Sequence, residues 1–196
     1  MKKLPQSGEL YMNDYPALKY AEDQMNEFLD TILSNTKHLL NKQKQDRHTK
    51  EGKWKVISKN NSRSGRIKFT ADFNWNNQLE ESTENNIAIL YRDIRSYTKM
   101  DSAWWIRLSI FGKRDLKDQL LNVENNILER AKEMAKEENV HISIVQGEPL
   151  YKTWVSINAE DSEDTAKRVA EEMTRLAKGI DLFLSEIINT ELRKPK

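Results

Sequence analysis

Apolar and polar residues alternate most regularly at RIKFTADFNW (66–75), with Ile67, Phe69, Ala71, Phe73 and Trp75 on one side and Arg66, Lys68, Thr70, Asp72 and Asn74 on the other. A period of two predicts a strand with one covered and one solvated face, the usual antiparallel arrangement. The same reading gives strands at 53–58 around Trp54 and Val56, at IAILYRDI (87–94), and at 104–111, where Trp104, Ile106, Leu108 and Ile110 form the apolar row. NNSRSG (60–65) is turn chemistry, and Asn76–Asn86 is a polar connection. Elsewhere the period is helical. Leu18, Ala21, Met25, Phe28, Ile32 and Leu39 predict a helix over 16–45, with Pro16 in its first turn, where a missing N–H does no harm. Leu116, Leu120, Val123, Ile127, Ala131 and Met134 predict one helix over 114–138. VHISIV (140–145), QGEP (146–149) and LYKTWVSI (150–157) read as a hairpin. A last helix, capped by Asp161 or Ser162, carries the stripe Ala166, Val169, Met173, Leu176, Ile180, Phe183 and Ile187.

The order α-β-β-β-β-α-β-β-α predicts an α+β protein with a single, mainly antiparallel sheet of about six strands. Three helices are expected on the sheet's dry face. Residues 1–15 read as an N-terminal extension and 16–196 as a single domain. The long stripe of the last helix would also suit a coiled coil, but Gly179 favours packing on the sheet.

Composition narrows the function classes. The chain has 196 residues and no cysteine, which excludes disulfides, thiolate metal sites and cysteine nucleophiles and suits a reducing cytoplasm. MKKLPQSGELYMNDYP lacks the apolar stretch of a secretory signal, and no run approaches the ~20 residues of a membrane span. A cytoplasmic, non-membrane protein is expected. Net charge is only +1, yet it is unevenly spread. Residues 37–68 hold eleven Lys or Arg against two acids, a local +9 that leaves −8 for the remainder.

That asymmetry gives SAWWIRLSIFGKRD (102–115) its interest, because Trp105 and Arg107 fall on the polar side of a predicted strand. If the strands form a meander, Lys53, Lys55, Arg66, Lys68, Arg92 and Arg107 share a solvated face with Trp105. Cations neutralise phosphates, and an open aromatic stacks on bases, so the expected function is a non-catalytic module engaging nucleic acid. A solvated face with an Arg107–Trp105 packing pair is the plainer alternative. A protein-interaction or assembly subunit, docking on an acidic partner or on itself, is the rival class.

Catalytic fragments are sparse. His141 in HISI resembles half of the paired histidine motif of two-histidine phosphoesterases, but RHTKEG (47–52) does not supply the other half. Glu51 and Lys53, with Asp46 or Asp72, have nuclease-like spacing, common in so charged a chain. Glu80 and Glu81 read as solvated surface. There is no glycine-rich phosphate loop, nucleophile elbow or histidine pair at metal-ligand spacing, so no catalytic residue, metal or cofactor is assigned.

The order WWIRLSIFGKRDLKDQLL, a charged helix, HISIVQGEPLYKTWVSI and an amphipathic last helix, roughly 104–188, resembles a small α+β domain of unknown function associated with restriction-endonuclease-like bacterial proteins. The resemblance implies an accessory module in bacterial DNA defence and transfers no functional residue.

Overall fold

The computed structural model describes residues 6–45, 55–61, 64–71, 87–93, 105–112 and 114–191; side-chain environments are described for 14–42, 87–93, 105–112, 114 and 116–190. Its elements are α1 (Gln6–Gln45), β1 (Lys55–Asn61), β2 (Ser64–Ala71), β3 (Ile87–Arg92), β4 (Trp105–Gly112), α2 (Arg114–Leu121), α3 (Asn125–Lys136), β5 (Tyr151–Ser156) and α4 (Ser162–Glu191). The class is α+β, and every described strand pair is antiparallel, in the order β1-β2-β3-β4-β5.

The expected layout of about six strands and three helices is corrected on three counts. The strand anticipated at 140–145 does not form. Burial still alternates there, with Val140 and Ile142 buried and His141 and Ser143 exposed. One bond of the anticipated hairpin forms, Ser143 N–H to Leu150 O at 2.8 Å, but the backbone on either side of it turns to other partners. Lys117 Nζ donates to the carbonyl of Val145 at 3.0 Å and to that of Glu148, and Val140 N–H bonds back to Ala135 O at 3.1 Å. The helix over 114–138 is two helices, α2 and α3. Asn122 and Val123 close the first with tight bonds to Gln119 O and Leu120 O, and Glu124 leaves helical geometry at ψ 135°. The helices also do not form one row on the sheet. α4 packs against α1, α3 and the strands β3 to β5, α1 reaches β1 and β2, and α3 lies chiefly on α4.

α1 begins ten residues before the expected start and carries Pro16 in its interior. Its C-terminal part is anchored through Leu29, Ile32, Leu33 and Leu40, whereas residues 14–25 are all exposed, Leu18 and Met25 included. Thr36 Oγ1 donates to Ala166 O at 3.4 Å, so this part of α1 meets the start of α4.

α4 forms as its stripe predicts. Asp161 Oδ1 accepts from the N–H groups of Glu163 and Asp164, both at 2.9 Å, satisfying two of the donors a helix start leaves open. Ala166, Val169, Met173, Leu176, Ile180, Phe183 and Ile187 are all 0% exposed. Burying a side chain such as Phe183 contributes roughly 1.5–3 kcal/mol. The stripe meets the inner row of the sheet, Ile106, Leu108 and Ile110 of β4 with Ile87, Ile89 and Tyr91 of β3. Gly179 lets the chain at Val140 cross α4 closely, since a Cβ there would lie 2.6 Å from Val140 Cγ2.

Candidate functional site

Register fixes which sheet positions share a face. Tyr91 opposes Leu108 and Ile106 opposes Val155, so these belong to the buried inner face. Arg92 opposes Arg107, and Arg107 opposes Trp154, forming one row across the outer face. The next row runs Ile57, Lys68, Leu90, Ser109 and Lys152. The third runs Lys55, Thr70, Ala88 and Phe111. By strand alternation positions 59, 66, 105 and 156 lie on the same side. The outer face thus takes the positions of Lys55, Lys59, Arg66, Lys68, Arg92, Arg107 and Lys152, and its described strand positions include no acid.

Of the residues singled out from sequence, Lys55, Arg66, Lys68, Arg92, Trp105 and Arg107 occupy this face by register. Lys53 lies outside the described residues. So do Asp46, His48, Glu51, Asp72, Glu80, Glu81 and Trp104. Like charges directly opposed across strands repel. Two such pairs stand on this face, Arg92 with Arg107 and Lys59 with Arg66. The Arg92 guanidinium lies 5.9 Å from the centre of the Phe111 ring, a cation–π distance. Arg92 and Arg107 also engage other groups of the chain.

The face is not uniformly wet. Ala88 and Ser109 are buried, and Leu90, Arg92, Arg107 and Phe111 are half-buried. Among the positions whose side-chain environments are described, the open ones lie at the β4–β5 margin, where Trp105 is 46% exposed, Trp154 is 47% exposed and Lys152 is exposed. Trp105 opposes Ser156 and Trp154 opposes Arg107, so the two indoles are diagonal neighbours on one face. Trp154 was not singled out from sequence. Its signal was present, since Lys152, Trp154 and Ser156 form the polar row of YKTWVS, but only the pairing of β5 with β4 gives that row a meaning.

Beside the indoles a cleft of about 400 Å³ opens towards α4, lined by Trp105, Trp154, Val155, Ser156, Arg168, Glu171, Glu172 and Arg175. Its helical wall is held in place. Arg168 donates from Nε to Asp164 at 3.0 Å and from Nη1 to Ser156 Oγ at 3.0 Å, tying α4 to the end of β5. Arg175 Nε donates to Glu172 at 2.8 Å, its Nη2 completes the fork, and its Nη1 donates to Glu138 O. The hydrogen bond to Glu172 raises the Arg175 pKa above the ordinary arginine value, against the desolvation that lowers it. Two guanidiniums and two carboxylates leave this wall without net charge.

Other candidates stay apart from this site. His141 is exposed on the irregular segment after α3. His38 lies on α1, beside a second cleft at the acidic start of α4. No group of three His, Cys, Asp or Glu placed to hold a metal occurs among the described residues, nor does a helix long and apolar enough to cross a membrane. No family model, curated protein or solved structure matches the chain.

Proposed function

We propose that this protein is a non-catalytic module that binds nucleic acid on the outer face of its sheet. The observation that carries the reading is the composition of that face: cationic positions in every strand, no acid among the described strand positions, and two exposed indoles at the open margin. Cations there neutralise phosphates and release their counterions, while the indoles supply stacking surfaces worth about 1–3 kcal/mol per base. Arg107 and Lys152 are the phosphate contacts nearest the indoles, with Lys55, Arg66, Lys68 and Arg92 extending the positive field. Lys53 belongs to the same proposal through its sequence position alone. A chain without cysteine suits a cytoplasmic site of action, and the resemblance of 104–188 suggests an accessory place in bacterial DNA defence.

The test is titration of a labelled oligonucleotide at several salt concentrations. About five phosphate contacts predict that log K falls against log salt with a slope of roughly −3.5 for a single strand. Affinity indifferent to salt, or no binding at low salt, removes the reading.

An assembly subunit is the second reading, and one observation favours it. The exposed part of α1 presents Tyr15, Leu18, Tyr20 and Met25 among Asp14, Glu22, Asp23 and Glu27, an acidic apolar surface opposite in sign to the sheet face. Sedimentation of the protein without nucleic acid distinguishes the two. Assembly through α1 gives a species above the 23.0 kDa monomer that Leu18→Glu dissolves.

A further inference from the structure

Resting on the nucleic-acid reading of the sheet face, we infer that the ligand is an unpaired strand, with one base seated in the cleft between the two tryptophans and α4. Two independent features lead there. The first is spacing. Diagonal neighbours on paired strands lie roughly 7–8 Å apart, about twice the ~3.4 Å rise between stacked bases of a duplex. Successive bases lie on both Trp105 and Trp154 only when drawn apart, which a paired and stacked helix does not permit.

The second is the division of charge. Cationic positions stand on the sheet side, where the exposed Lys152 is near the indoles and the half-buried Arg107 lies between Arg92 and Trp154. The cleft's helical wall balances Arg168 and Arg175 against Glu171 and Glu172, and both arginines are already engaged with carboxylates. A phosphate gains little there and meets two acids. A nucleobase fits that wall, being neutral and planar, with donors and acceptors on its edge. An indole offers one of its faces a stacking partner while its neighbour takes the next base, and the Ser156 hydroxyl, which already accepts from Arg168, and the exposed Glu171 carboxylate offer its edge a donor and an acceptor. A base in a duplex has neither face nor edge to spare. Backbone on the sheet and base in the cleft is therefore a geometry for single strands.

The experiment compares one labelled oligonucleotide, single-stranded and annealed to its complement, against the full chain at one low salt concentration. Anisotropy gives the affinity and tryptophan fluorescence reports stacking. The expected result is single-strand binding at least about tenfold tighter than duplex, with quenching by the single strand. Trp154→Ala lowers single-strand affinity by about tenfold or more, a loss in the range of one base–aromatic stack, and lowers duplex affinity less. Trp154→Phe retains most of the binding. Circular dichroism of each variant checks that the exposed side chain was removed without unfolding. Equal affinity for the two forms, or an equal loss for both in Trp154→Ala, overturns this inference and leaves the sheet-face reading standing. Absence of binding to either form overturns both.

Discussion

Replacing Gly179 with alanine puts a methyl carbon 2.6 Å from Val140 Cγ2, in a helix whose interior otherwise favours alanine over glycine by about 1 kcal/mol. Overpacking wins, because Val140 is itself fully buried and has no room to retreat. Gly179→Ala is expected to destabilise the fold by about 1–3 kcal/mol in a denaturant titration, despite its better helix propensity. Lys117 is the companion case. Its ammonium is almost fully buried, yet satisfied by the carbonyls of Val145 and Glu148, which pins the turn containing Gly147 at φ 80°. Lys117→Met removes charge-assisted hydrogen bonds worth roughly 1.5–3 kcal/mol and speeds amide exchange around residues 145–150. Neither role was legible in advance. Gly179 stood out in the sequence, but its reason is an approach by residue 140, and Lys117 looked like any solvated helix lysine.

At the scale of elements, legibility followed how much of each element's fate is local. α4 combines a capping aspartate with a long unbroken stripe, and both signals act within a few residues. Asp161→Ala is expected to lower stability by about 1 kcal/mol, read as a shifted denaturation midpoint, with the helix otherwise intact. The break between α2 and α3 was hidden because Leu116, Leu120, Val123, Ile127 and Ala131 keep helical spacing across it. The weak helix formers Asn122, Asn125 and Asn126 were the sole local hint. α1 shows the opposite failure. Pro16 reads as a start signal, but the helix begins before it. From 14 to 25 α1 has no buried residue to anchor it, and an interior proline removes a helical bond. Amides of 17–25 are expected to exchange faster than those of 29–40 by native-state hydrogen exchange, since packing rather than propensity supplies most helical stability.

For the whole molecule, the controlling fact is that a nearly neutral chain folds with its cationic sheet positions on one side. Single-site variants are expected to separate accordingly. Lys152→Ala weakens oligonucleotide binding at low salt and flattens the salt slope by about 0.7 if it contacts one phosphate of a single strand, measured in the same titration as wild type. The alternation of polar and apolar residues along each strand settled which residues face together within that strand, because side chains on a pleated backbone must alternate. Helical periodicity likewise settled the buried stripe of α4, and composition settled the absence of thiol chemistry. Pairing lay beyond it. That Arg107 stands between Arg92 and Trp154, that Trp154 joins Trp105, and that 140–145 shares its backbone among Lys117, α3 and Leu150 without completing a strand are outcomes of contacts between distant parts of the chain. Such contacts depend on register, on close approaches such as Gly179 to Val140, and on competition among partners for the same carbonyls, and none of these quantities is a property of any short stretch of sequence.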